Sequence, residues 1–275
     1  MAYEHKGVVA LDYYPCRYGT SKLLVRGPKR TLDGPYCAVL GSTETYGKFI
    51  ANPYPDLVEQ ATGMDMVNFG CVNAGTDVFV NDTSVMEACR GAVVTVVQVT
   101  GAHNISNRFY AVHPRRNDRF LHASPLMKSM FREVDFTEFH FTRHMLSTLQ
   151  TLSSSRFGVV AEELRTAWVA RMRLLLDRAG GRVLLLWMAG HTPDEASGEL
   201  GMGRDPLLVD RAMIEALRPL TAGVVEIRAS AEALGAGVAG MAYTPIDAPA
   251  AAELPGPLVH QEVATALVPV IRAFC

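Results

Sequence analysis

Tyr36-Cys37-Ala38-Val39-Leu40-Gly41-Ser42-Thr43-Glu44 is the stretch on which the reading of this chain turns. Five apolar residues without polar alternation read as a strand buried on both faces, and the Gly-Ser step after them reads as the turn into a helix. In open α/β sheets the carboxyl end of a strand is where ligands and reacting groups collect. A serine delivered there is a candidate nucleophile. The alternative is a helix cap, a role serine and threonine fill routinely.

Four further runs share this character, at 65–69, 93–99, 183–188 and 224–227. Helical patterns lie between and after them, at 55–62, 77–89, 160–179, 206–217 and 260–273. The alternation predicts a three-layer α/β/α sandwich around a five-stranded, mostly parallel, flavodoxin-like sheet. One domain covering 1–275 is expected, with a basic arm at 1–35 and a long lid-like insert at 101–156 after the third strand. No internal repeat and no linker marks a second domain.

The 275 residues are 49% apolar and 20% charged, the balance of an ordinary globular chain with a large core. A formal net charge of -2 gives no global attraction to nucleic acid or anionic membrane, so no nucleic-acid partner is expected. Five cysteines, odd in number and never spaced as CxxC, fit reduced thiols better than a disulfide framework. The N-terminus lacks the basic-then-apolar pattern of a secretory signal, and the most apolar runs are too short to cross a bilayer. A soluble, cytoplasmic bacterial protein acting on a small molecule is expected, with a homo-oligomer left open.

The second chemical signal is His260, at the start of the last helical pattern. A serine after the first strand and a histidine opening the last helix meet at one sheet edge. Imidazole titrates in the range needed to take the proton of a serine hydroxyl. The other reading of His260 is a surface or capping histidine.

Taken with Asn68-Phe69-Gly70, Asn73-Ala74-Gly75-Thr76-Asp77 and Gly101-Ala102-His103-Asn104, these residues resemble the blocks of the SGNH/GDSL hydrolase superfamily. That superfamily comprises flavodoxin-like esterases, lipases, carbohydrate deacetylases and some acyltransferases. The resemblance covers 36–104 and 255–274 in motif terms and only the strand–helix order elsewhere. It implies Ser42 as nucleophile and His260 as base. It implies an oxyanion hole from the N–H groups of Ser42 and Gly75, the latter favoured over Gly70, and the side-chain amide of Asn104. The wording of the whole chain also resembles an alphaproteobacterial family of unknown function. Two departures stand out. Gly-Asp-Ser reads here as Leu40-Gly41-Ser42, without its aspartate, and Pro257 stands where the superfamily places the acid that orients its histidine. Glu253, Asp247, Glu262 or a backbone carbonyl would have to orient His260, unless serine and histidine work as a dyad.

The insert carries Arg108, Arg115, Arg116, Arg119, Lys128 and Arg132 among aromatic residues and histidines. Arginine forks grip carboxylate, sulfate or phosphate. His103, Arg108, Arg115 and Arg116 are therefore the candidate substrate-binding residues, set against the alternative of a solvated basic loop. His140 and His144 have a zinc-compatible spacing but no evident third ligand, so neither metal nor cofactor is expected.

Three functional readings follow. The first is a serine esterase or acyltransferase for an anionic or glycan-like substrate. The second is a transferase for a phosphorylated or sulfated nucleotide-type donor, with Ser42, Thr43 and Thr45 holding the anion helped by Arg115 and Arg116. The third is a non-catalytic ligand-binding module of the same fold.

Overall fold

A computed structural model describes residues 11–196, 198 and 201–274. The first ten residues of the arm, and with them the expectation about a signal, lie outside the described residues, as does Cys275. In chain order the elements begin with β1 (Tyr36–Leu40), α1 (Thr43–Tyr46), α2 (Tyr54–Thr62) and β2 (Asp65–Asn68). Next come α3 (Thr76–Val80), α4 (Thr83–Gly91), β3 (Val94–Gln98), β4 (Tyr110–His113) and β5 (Arg116–Ala123). The middle of the chain forms α5 (Pro125–Met130), α6 (Thr142–Leu152), α7 (Ser154–Ala179), β6 (Val183–Ala189) and α8 (Arg211–Glu215). The last part forms β7 (Gly223–Arg228), α9 (Ala231–Ala236), α10 (Ala248–Ala252) and α11 (Pro257–Arg272).

The five expected strands form one parallel sheet in the order β2-β1-β3-β6-β7. Alternate side chains of each strand feed two separate apolar layers. Ala38 and Leu40 of β1 join Val97, Leu185 and Trp187 on one face, with α3, α4 and α7. Cys37 and Val39 join Val96, Leu184 and Leu186 on the other, with Tyr54 and Val58 of α2 and Val259, Val263 and Leu267 of α11. Continuous apolar runs rather than alternating ones are what a sheet covered on both sides requires.

The insert builds an antiparallel hairpin, β4 with β5, followed by α5 and α6. Its Ile105, Phe109, Tyr110, Phe120, Met127, Phe131 and Leu146 belong to the same apolar cluster as β1, β6 and α7. The insert is thus packed onto the sandwich wall. The described part of the arm is likewise fixed. Arg26, 4% exposed, donates to the carbonyls of Tyr46, Gly47, Ile50 and Ala51, locking the loop between α1 and α2.

Three helical expectations are corrected. The pattern at 77–89 is broken into α3 and α4, because the side chain of Asp82 accepts the N–H of Val85 and starts a new helix. The pattern at 206–217 shortens to α8, since Asp210 caps the N–H of Met213 and so fixes the start at Arg211. The last helix begins at Pro257, not at His260. Proline has no N–H to lose and a φ suited to the first helical position. His260 therefore sits a turn inside α11, its N–H already bonded to the carbonyl of Gly256.

Candidate active site

The strand order reverses direction between β1 and β3, and a crevice opens at their carboxyl ends. A cleft of about 570 Å³ occupies it. Ser42, Thr43 and Glu44 enter from the β1 exit, Asn73 from the β2 exit, and Gln98, Thr100, His103 and Asn104 from the β3 exit. The insert adds Asp118, Phe141, Thr142 and Arg143; Asp205 follows β6; Glu253 stands before α11.

Ser42 is the N-cap residue of α1, yet its side chain makes no capping bond. The capping alternative is thereby removed for the hydroxyl. Its backbone is held by Gln98, whose Oε1 accepts the N–H of Ser42 at 3.0 Å and the hydroxyl of Thr45 at 2.6 Å. With Oε1 so engaged, the Gln98 amide nitrogen is turned to Glu44 and donates to its Oε2 at 3.0 Å. Gly41 makes this possible. A Cβ there would stand 2.0 Å from Thr45 Oγ1 and 2.4 Å from Gln98 Oε1. Burial raises the Glu44 carboxyl above its ordinary range; the Gln98 bond opposes that and Asp205 adds to it. A cleft carboxyl raised in this way is suited to proton transfer nearer neutrality.

His260 does not meet Ser42. It is 1% exposed, it is not among the residues lining the cleft, and no hydrogen bond joins the two. Its Nδ1 accepts the N–H of Tyr54 at the start of α2, and its Nε2 is buried without a partner. Burial, helped by Arg26, pushes its pKa down to about 3, so the ring is neutral. The carboxylates expected to orient it point elsewhere. Glu262 accepts the N–H of Ser230, Asp247 accepts the hydroxyl of Thr244, and Glu253 lines the cleft.

The expected oxyanion donors are also mostly committed. The N–H of Gly75 donates to Asn117 Oδ1, that of Ser42 to Gln98, and that of Gly70 to Asn68 Oδ1. Asn104 does line the cleft; its Oδ1 accepts the hydroxyl of Thr142 at 2.7 Å, which fixes the amide and leaves Nδ2 as its donor. Of the four binding candidates only His103 is in the cleft. Arg108 pairs with Glu163 at 2.8 Å, and Arg115 and Arg116 are exposed outside it. The arginine that does line the cleft is Arg143, bonded to Asp205 at 2.7 Å. The hydroxyls of Thr43 and Thr45 are unavailable to a bound anion, since they donate to Asn73 Oδ1 and Gln98 Oε1. His140 precedes α6 while His144 lies on it, so the two do not share a helix face, and no metal-binding group of three was found among the described residues.

Sequence reasoning missed Glu44, Gln98, Phe141, Arg143 and Asp205, and named Glu253 only as a partner for His260. A signal existed for two of them. Gln98 is a polar residue ending an apolar strand, and Glu44 stands two residues beyond the serine. The others arrive from distant segments.

A family model matches residues 1–275. The chain belongs to the DUF6473 family. That family is described as a domain of unknown function, which matches the unknown-function part of the second resemblance read from the sequence. Comparison with curated proteins gave no match. Two solved structures are similar to this family member. One is a carbohydrate acetylesterase family member from Sinorhizobium meliloti, 11% identical with a TM-score of 0.42, covering 87% of this chain and 98% of that one. The other is the lipase Lip_vut3 from a goat rumen metagenome, 12% identical with a TM-score of 0.41, covering 88% and 97%. No helix among the described residues is long and apolar enough to cross a membrane, and no disulfide joins the described cysteines Cys16, Cys37, Cys71 and Cys89.

Proposed function

We propose that the chain is a serine esterase or acyltransferase whose substrate is a small, polar, glycan-like ester. The observation that carries this reading is the Ser42 hydroxyl, free of any capping bond, lining the same switch-point cleft as the raised carboxyl of Glu44. Ser42 Oγ attacks the ester carbonyl while its proton passes to the Glu44 carboxylate. As the Oγ–C bond forms, the C–O bond to the alcohol breaks, and the departing oxygen takes the proton from Glu44. Water, or the hydroxyl of an acceptor, then repeats the sequence on the acyl-serine. Glu44 takes the place in this scheme that the sequence reading gave to His260.

The lining favours a neutral polyhydroxylated substrate over an anionic one. Carboxyls of Glu44, Asp118, Asp205 and Glu253 face the cleft against the cations Lys48 and Arg143, and Arg143 is already paired. Phe141, 41% exposed, adds an aromatic surface that can pack on the apolar face of a sugar.

A fluorophosphonate probe tests the assignment. Labelling is expected in the wild type, none in Ser42→Ala, and labelling at least about tenfold slower in Glu44→Gln. Equal labelling of wild type and Ser42→Ala would sink it. A second reading, a non-catalytic module binding a polar ligand, is favoured by the committed N–H groups of Ser42, Gly70 and Gly75. Under that reading the folded wild type is not labelled, yet a glycan ligand still raises its melting temperature.

A further inference from the structure

An acyl transfer needs donors aimed at the oxygen that acquires charge. The backbone N–H groups of Ser42, Gly70 and Gly75 are spent within the protein, which leaves a place for side-chain donors from the cleft. Asn104 Nδ2 is one. His103, 8% exposed and lining the same cleft, is the other group of the right kind.

The ring is held so that its two nitrogens differ. The His103 carbonyl accepts the hydroxyl of Tyr110 at 2.6 Å, and the preceding Ala102 N–H bonds the carbonyl of Leu207. Nδ1 is buried without a hydrogen-bond partner. It lies 2.7 Å from the point where a Gly101 Cβ would stand, so only glycine admits this ring position. The backbone nitrogen of Leu207 lies 2.9 Å from that same point. No acceptor for a proton on Nδ1 is found on this side. A buried N–H without an acceptor costs more than a buried lone pair, and His103 differs from His260 in that neither ring nitrogen is already held as an acceptor, so the cheaper tautomer is open to it. The proton accordingly sits on Nε2, the nitrogen that no protein group occupies and that is left open to the cleft.

We propose that His103 is a neutral hydrogen-bond donor to the substrate, its Nε2–H acting with Asn104 Nδ2 on the carbonyl oxygen that becomes an oxyanion. Burial, with Asp205 opposing and Arg143 assisting, holds its pKa at about 4. The ring thus stays neutral at working pH and does not take up the serine proton, which is left to Glu44. This role rests on the Ser42 reading above.

Two measurements decide it. In the full-length protein labelled with nitrogen-15 histidine, two-bond proton–nitrogen correlations are expected to show His103 protonated on Nε2; protonation on Nδ1 overturns the proposal. The second is kinetic, using p-nitrophenyl acetate hydrolysis and fluorophosphonate labelling. His103→Phe is expected to lose about 10²–10³-fold in kcat with KM little changed, the usual effect of deleting one oxyanion donor. His103→Gln, whose amide restores a donor, is expected to stay within about tenfold of wild type. A loss in His103→Gln as large as in His103→Phe would mark a base instead and overturn the proposal, as would wild-type rates in both. Should His103→Phe not fold, His103→Gln and the spectrum still decide. Absence of labelling in wild type overturns the Ser42 reading itself, whereas an Nδ1 proton beside normal labelling overturns the donor alone.

Discussion

The Nδ1 of His260 accepts the backbone N–H of Tyr54 at 3.1 Å, and the two rings stack with centroids 6.0 Å apart. Tyr54 opens α2, and its preceding residue, Pro53, has no side chain able to cap that N–H. A histidine 206 positions away in the chain does so. The imidazole that by sequence order looks like a base is thus a tertiary helix cap joining α11 to α2 across the second apolar layer.

That relationship makes stability depend on pH in a defined direction. His260 has an ordinary pKa of 6.5 and one of about 3 when folded. Below pH 6.5 the unfolded chain takes up a proton that the folded chain refuses, so this contribution is full above pH 6.5 and is lost as pH falls towards 3. The loss is at most about 1.4 kcal/mol per pH unit. His260→Gln keeps an acceptor but cannot titrate. It is expected to be less stable than wild type at pH 7, with the gap narrowing between pH 6 and pH 4 in urea denaturation. A gap independent of pH would refute the buried neutral imidazole.

Gly41→Ala is expected to damage the site through packing alone. Its Cβ would collide with Thr45 Oγ1 and Gln98 Oε1, so the bonds from Ser42 N–H and Thr45 to Gln98 must lengthen. Overpacking of this kind costs about 1–3 kcal/mol. Thermal denaturation and fluorophosphonate labelling should both fall. Unchanged labelling would show that Gln98 does not position Ser42.

Arg26→Met removes a buried guanidinium that satisfies four carbonyls of the loop after α1. Each buried carbonyl left without a partner costs about 1–3 kcal/mol. The expected loss of stability exceeds about 3 kcal/mol, and Arg26→Lys should recover little, because an ammonium cannot span the same acceptors. Chemical denaturation of the two variants checks this; near-wild-type stability of Arg26→Lys would contradict it.

Arg108→Ala, Arg115→Ala and Arg116→Ala, singly or together, should leave KM for an ester substrate unchanged, since none of these residues lines the cleft. Arg143→Ala should raise KM or lower kcat, because it lines the cleft and holds Asp205. The reverse pattern in steady-state kinetics would restore the basic insert as the binding surface.

The sequence by itself determined the sheet. Runs at 37–40, 65–69, 93–99, 183–188 and 224–227 are strands because mostly apolar residues without clean alternation suit a sheet covered on both faces, and that information is local. It also placed Ser42 at a strand exit and Asn104 in the loop after β3, both of which line the cleft. The partners were decided by tertiary structure. Asp118, Arg143, Asp205 and Glu253 reach the cleft from segments whose spacing in the chain carries no period or motif. His260 faces inward because it shares a face of α11 with Val263, Ala264 and Leu267, three, four and seven residues on, which pack in the second apolar layer. The donors Ser42 N–H and Gly75 N–H are consumed by Gln98 and Asn117, side chains 56 and 42 residues away. A buried N–H must be paired by whatever acceptor the fold brings to it, and that choice exists only once the chain is folded.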